Sequence, residues 1–161
     1  MLLISHMGLE CLAELLGKFE LVLELVPDDK PIKGSYWGEP EAGVVSDCVY
    51  VRSDTPLHSL LHETCHVVCM TPERRNSLKG DAGGDDIEEC AVCFLQIVLA
   101  DELAGAGKER LMQDMDDWGY SFRLGSTRRW FEQDAEDAEV WLRSQGLLQA
   151  GRRPTYQLRQ S

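Results

Sequence analysis

Residues 56–70 read PLHSLLHETCHVVCM, and this stretch decides both the fold and the chemistry expected of the chain. Its apolar residues recur on nearly every side, and the Asp-Thr-Pro before it is typical of a helix start. His62 and His66 are four residues apart, so a helix places both imidazoles on one face, where they can bind one metal ion. Glu63 is turned by roughly 100° from His62. Its carboxylate can therefore reach a water on the metal without being a ligand itself.

The pattern H-E-x-x-H is the arrangement that zinc-dependent peptidases use. Two imidazoles do not complete such a site, because catalytic zinc takes a third protein ligand and keeps a fourth position for water. Residues 85–99 read DDIEECAVCFLQIVL, which predicts a second helix with an acidic first turn. Glu88 is followed one turn later by Ala91, and a small residue there lets the two helices approach closely. The sequence therefore favours Glu88 as the third ligand, with Glu89 as the neighbouring alternative.

These two segments resemble the gluzincin branch of the zincin metallopeptidases, and within it the short ImmA/IrrE-like peptidases. Those proteins combine a His-Glu-x-x-His helix with a Glu-x-x-Ala-Asn-x-Phe-Ala helix, and the resemblance covers roughly residues 44–104. It implies a zinc ion bound by His62, His66 and Glu88, with Glu63 as the general base. It also implies a peptide or protein substrate, cleaved by a zinc-activated water.

The chain departs from that family pattern at two positions, and the departures leave a rival function open. Val92 stands where the family has Asn or Asp, and Leu95 stands where it has Ala. The rival is a non-catalytic metal-binding or protein-interaction module that retains the zincin fold. In that case Cys65, Cys69 or His58 would supply a fourth protein ligand and close the metal site. A cysteine thiolate in place of Glu88 is a further alternative.

The remaining segments predict an α+β domain, and the resemblance implies that it has the zincin-like minimal fold. A small sheet of about three strands is expected to pack on the two site helices, with further helices at the C-terminal end. We expect one domain over residues 1–161, with its core at about 1–105 and a helical extension at about 106–161. The predicted elements are a helix at 6–16, strands at 20–26, 32–37 and 48–52, the two site helices, a helix at 108–118, a final helix from Ser126 or Thr127 to about Gly146, and a mobile tail.

In zincin-like folds the last strand before the histidine helix lines the substrate cleft, and the resemblance implies the same arrangement here. Residues 44–52 are the candidate strand edge, to which an extended substrate chain can hydrogen-bond. A tyrosine is expected to stabilise the oxyanion that forms on the substrate. Tyr36, Tyr50 and Tyr120 are the candidates, and the sequence does not choose among them.

Composition narrows the class of partner and the compartment. The chain has 161 residues, 43% of them hydrophobic, which is enough for a core, and a net charge of −12. An acidic protein without a basic face is not expected to bind nucleic acid. No apolar run approaches the length of a transmembrane helix, and no membrane partner is expected. The six cysteines lack a recognisable export signal beside them, so the expected location is the cytoplasm.

Overall fold

The structure is a computed structural model that describes residues 1–161, and it confirms the α+β class with a small three-stranded sheet. A separate pair of two-residue strands lies near the C-terminus. The elements are α1 (Leu9–Gly17), β1 (Val22–Leu25), β2 (Gly43–Val45), β3 (Cys48–Val51), α2 (Leu57–Cys69), α3 (Pro72–Asn76), α4 (Asp86–Ala100), α5 (Lys108–Trp118), α6 (Thr127–Gln133), α7 (Glu136–Ser144), β4 (Leu148–Gln149) and β5 (Arg153–Pro154).

The sheet has the order β1-β3-β2, with β1 parallel and β2 antiparallel to the central β3. The predicted strand at residues 32–37 is wrong, because that segment is a loop and the strand lies at β2 instead. Gly34 adopts a left-handed conformation with φ of 76°, which a strand does not accommodate. The same loop leaves Tyr36 and Trp37 exposed to solvent.

The predicted substrate edge at residues 44–52 is also corrected by the sheet order. β3 is paired on both sides, and the outer side of β2 is already hydrogen-bonded by other segments. The amide of Val44 donates to the Gly34 carbonyl at 3.3 Å, and the amide of Ser46 donates to the Leu78 carbonyl at 3.1 Å. An extended substrate therefore has no free edge at β2 to extend.

The core forms between the sheet, α2 and α4, and it continues into the C-terminal helices. α2 is buried at every position except His62 and Glu63. α4 packs along α2, and its own residues are buried from Ala91 to its end. Leu111, Trp130 and Leu142 bring α5, α6 and α7 into the same hydrophobic cluster. No helix combines the length and the apolarity that crossing a membrane requires.

The last predicted helix differs from what the structure shows. The single helix expected from Ser126 to about Gly146 is two helices, α6 and α7, which are separated by Asp134 and Ala135. Ser126 caps α6 as expected, since its side chain accepts a hydrogen bond from the Arg129 amide. Asp134 leaves the helical conformation, and its carboxylate pairs with Arg123 instead.

The tail, which was expected to be mobile, packs against the C-terminal end of α2. Arg159 donates from its amide to the Val68 carbonyl and from its guanidinium to the Cys69 carbonyl. Arg75 donates to the Val67 and Met70 carbonyls. These carbonyls have no partner within the helix, so two arginines supply the hydrogen bonds that its last turn needs.

Candidate metal centre

Three side chains converge where α2 faces the first turns of α4. The Nε2 atoms of His62 and His66 are 3.1 Å apart, and Oε1 of Glu89 is 3.3 Å from each of them. This group could hold a metal ion, because each residue offers one ligand atom to a common point. The helix spacing of four residues aligns the two imidazoles, as the sequence predicts.

The separations within this group match those of a tetrahedral metal site. Ligand atoms about 2.0–2.1 Å from zinc lie about 3.3–3.4 Å from one another along the edges of a tetrahedron. The three observed separations of 3.1, 3.3 and 3.3 Å are close to that edge length. The donor set of two imidazoles and one carboxylate is also one that catalytic zinc sites use.

The carboxylate beside the histidines belongs to Glu89, and not to Glu88 as the sequence favoured. Glu88 is turned away and almost fully buried, with both carboxylate oxygens 2.8 and 2.9 Å from Nη1 of Arg74. Consecutive helical residues point about 100° apart, so only one of the two glutamates can face α2. Arg74 pairs with Glu88 and keeps it away from the histidines, so the metal group consists of His62, His66 and Glu89.

Gln96 fixes the orientation of His62, a role that the sequence analysis missed. Its side chain is fully buried, with Oε1 2.7 Å from Nδ1 of His62 and Nε2 donating to the His58 carbonyl at 3.2 Å. An amide oxygen only accepts, so the proton of neutral His62 lies on Nδ1 and the lone pair on Nε2. One face of α4 carries Glu89, Cys93 and Gln96, which are spaced by four and three residues. Once Glu89 is taken as the ligand, this spacing indicates that Gln96 also faces the histidines.

His66 has no comparable partner. The residue is only 5% exposed, and its buried Nδ1 atom has no hydrogen-bond partner. Val92, at the position where the resembled family has Asn or Asp, is apolar and buried. The second histidine is therefore held by packing and by its Nε2 contacts alone.

Glu63 lies on the open side of the histidine pair, as the sequence predicts. It and His62 are the two residues of α2 that are not buried, and both line the same cleft. Burial of the carboxyl group raises the pKa of Glu63, and the neighbouring His66 and His62 oppose that effect. For Glu89, burial raises the pKa, but the contacts of its carboxylate with the imidazoles of His62 and His66 outweigh that effect and hold the pKa well below its ordinary value.

Of the three candidate tyrosines, Tyr120 is the one that lies beside the metal group. Its ring centroid is 5.7 Å from that of His62, and its hydroxyl is 3.1 Å from Nδ1 of His58. Burial raises the pKa of Tyr120 to about 12, and burial also lowers the pKa of His58 to about 4. Tyr36 lies at the cleft rim, and Tyr50 is absent from the cleft lining.

The candidate fourth ligands occupy different positions. Cys65 and Cys69 are fully buried in the core and are not part of the group that could hold a metal. His58 contacts Tyr120 and is also outside that group. Cys93 lies beside His62 and lines the cleft together with Cys90. All six cysteines are free thiols.

The metal group opens into a cleft of about 820 Å³. One wall is the loop at residues 80–83, which Arg74 holds through the carbonyls of Ala82 and Gly83. The other walls are the loop around Tyr36 and the connector at residues 118–122. The cleft is large enough for several residues of a peptide, and His62, His66 and Glu63 are among the residues that line it.

Comparison of the chain with protein-family models, with curated proteins and with solved structures gives no match.

Proposed function

We propose that this protein is a zinc-dependent peptidase whose metal is held by His62, His66 and Glu89. The observation that carries the proposal is the near-equal separation of 3.1–3.3 Å among the three ligand atoms at the end of a cleft. Two neutral imidazoles and one carboxylate leave a further coordination position, and all three ligand residues line the cleft. An open position is what distinguishes a catalytic from a structural zinc site.

Glu63 is the proposed general base. A zinc ion, when bound, supplies Lewis-acid chemistry that makes water nucleophilic at neutral pH and polarises a peptide carbonyl. Glu63 follows His62 directly, faces the cleft and has no Arg or Lys partner. Its carboxylate takes the proton of the attacking water and passes it to the leaving amine.

Tyr120 is the proposed donor to the oxygen of the scissile carbonyl. Its raised pKa keeps the hydroxyl protonated at neutral pH, so it can donate as negative charge develops on that oxygen. Neutral His58 orients the hydroxyl through the 3.1 Å contact at Nδ1. This positioning explains why a buried histidine stands one turn before the metal ligands.

The direct test is Glu63→Gln, assayed for metal content and for cleavage of an unfolded protein such as casein. We expect zinc to be retained and hydrolysis to fall by about 10²–10⁴-fold, the usual contribution of a general base. Glu10→Gln is the matched control, since Glu10 is an exposed glutamate on α1. A Glu63→Gln protein that cleaves at the parental rate contradicts the assigned role.

The rival proposal is a non-catalytic metal-binding or protein-interaction module, and the position of Cys93 favours it. Cys93 contacts His62 but lies outside the three-residue group, so its thiolate would have to move toward the other two ligands to complete four protein ligands and close the site. A small hydroxamate inhibitor distinguishes the two, because it binds zinc only through an open position. Protection of the zinc-loaded protein against thermal unfolding supports the peptidase, and the absence of any shift supports the closed site.

We also propose the cytoplasm as the place of action. The six free thiols suit a reducing compartment, where disulfides are rare. Fractionation of cells that express the protein tests this assignment directly.

A further inference from the structure

The cleft that leads to the metal group carries negative charge and no compensating cation. Its lining includes Glu41, Glu63, Asp81 and Glu89, and it includes no Lys or Arg. The only basic side chains that contact Glu89 are His62 and His66. Some carboxylates outside the cleft are paired with arginine, as in Arg123–Asp134 and Arg143–Glu139. The cleft of this acidic chain, whose net charge is −12, therefore offers four carboxylates and no Lys or Arg to an incoming substrate.

Aromatic side chains stand at the rim of the same cleft. Tyr36 and Trp37 are 62% and 77% exposed, and their rings pack edge to face with centroids 5.0 Å apart. Trp118 lies across the opening, and its indole nitrogen donates to Glu41 at 3.0 Å. Exposed aromatic rings next to carboxylates attract cations, since the ring face carries partial negative charge.

We propose that the cleft selects a positively charged peptide segment as its substrate, and this inference rests on the proposed peptidase function. A Lys or Arg side chain of the segment lies against Trp37 and near Glu41 or Asp81. An acidic segment would place unpaired charges of the same sign together in a partly dehydrated cleft, which is unfavourable. The acidic surface also steers basic segments toward the cleft from a distance.

The test measures binding separately from cleavage. A Glu63→Gln background is incubated with three fluorescein-labelled, unstructured peptides that share one apolar framework and carry Lys, Ser or Glu at the variable positions. Fluorescence anisotropy then gives each affinity at low and at high salt. We expect the Lys peptide to bind about 10-fold more tightly than the Ser peptide, and the difference to shrink as salt screens the charges.

A matched pair of double variants assigns the preference to the cleft. Glu41→Gln/Asp81→Asn should remove most of the preference for the Lys peptide over the Ser peptide. Trp37→Ala should weaken Lys-peptide binding by about 3-fold, the scale of an exposed cation–π contact. Glu10→Gln/Asp29→Asn makes the same change in net charge at exposed positions outside the cleft. The control should leave the preference intact. Equal effects of the two double variants would mean a general charge effect and overturn the proposal.

The remaining outcomes separate this inference from the peptidase proposal. Equal binding of all three peptides, or no binding, overturns the charge selection even if zinc is bound and casein is cleaved. A Lys preference that persists in His62→Ala/His66→Ala protein shows that the cleft recognises the segment without metal. If wild-type protein also binds no zinc, that same preference identifies a binding module, and the peptidase proposal alone fails.

Discussion

Glu88 and Glu89 are neighbours in sequence, but they lie in two differently organised regions of the molecule. On the Glu88 side the carboxylate is fully partnered, because Arg74 binds both of its oxygens and also donates to two loop carbonyls. On the Glu89 side His66 has a buried nitrogen without a partner, and three ligand atoms face one another across 3.1–3.3 Å. The fully partnered region supports the fold. The incompletely partnered region is where a ligand is expected.

The largest expected effect is on zinc affinity, which should fall when Glu89 is replaced but not when Glu88 is replaced. Glu89→Gln should weaken zinc binding by about 10³-fold or more, because losing a charged ligand costs more than the 10–100-fold typical of an outer hydrogen-bond partner. Glu88→Gln should change zinc affinity by less than about 3-fold. Competition with a chromophoric chelator measures both. Equal losses in the two variants would remove the distinction between the regions.

A comparably large effect is expected on catalysis from Tyr120→Phe. Removing the hydroxyl should lower kcat by about 10²–10³-fold, the usual cost of one oxyanion donor. Zinc affinity should stay unchanged, since the hydroxyl is not a ligand. Steady-state kinetics on a cleaved peptide, beside zinc titration, provides the readout. Tyr50→Phe is the control, and a similar loss in that variant would contradict the role of Tyr120.

The Glu88 region should respond in stability and not in metal binding. Arg74→Met leaves the buried Glu88 carboxylate without its partner and should lower the free energy of unfolding by about 3 kcal/mol. Urea denaturation of the metal-free protein measures this change. The double variant Arg74→Met/Glu88→Leu should recover much of the loss, because it removes the unpaired charge. A single variant as stable as wild type would show that the pair does not support the fold.

A smaller effect is expected at the residue that orients His62. Gln96→Leu should weaken zinc binding by about 10–100-fold, since His62 loses the acceptor that fixes its tautomer. Gln96→Glu keeps an acceptor at that position and should retain most of the affinity. The same chelator competition measures both variants. An affinity that is equally low in both would assign the loss to packing and not to the hydrogen bond.

The smallest effect sharpens the contrast between buried and exposed ion pairs. Arg52 lies 2.7 Å from Asp54, whose side chain is 49% exposed, and this hydrogen-bonded guanidinium lowers the pKa of Asp54. Asp54→Asn should cost less than about 0.5 kcal/mol at neutral pH. Because the folded-state pKa is lowered, the contribution is present above about pH 3.9 and is lost as the pH falls through the lowered value. Urea midpoints of wild type and variant at neutral and acidic pH should converge at acidic pH.

The sequence predicts the parts of the site that depend on helix periodicity. α2 and α4 lie where their apolar patterns place them, and the pairing of His62 with His66 follows from four-residue spacing. The sequence favoured Glu88 over Glu89, but the structure places Glu89 beside the histidines, because Glu88 pairs with Arg74, which belongs to another helix. Helix spacing alone does not reveal that competing partner.

The loops were harder to predict for a similar reason. The strand expected at residues 32–37 has suitable side chains, but the left-handed Gly34 turns the chain so that its carbonyl meets Val44. The C-terminal tail has a polar composition typical of a mobile segment, yet Arg159 is held by carbonyls at the end of α2. Both outcomes depend on partners distant in sequence.

Metal content is the measurement that tests the central claim most directly. Elemental mass spectrometry on protein purified without added metal or chelator is compared with the His62→Ala/His66→Ala variant. We expect about one zinc ion per chain in the wild type, as in mononuclear catalytic sites, and its loss in the variant. No bound metal in the wild-type protein, even after zinc is offered at neutral pH, would contradict it.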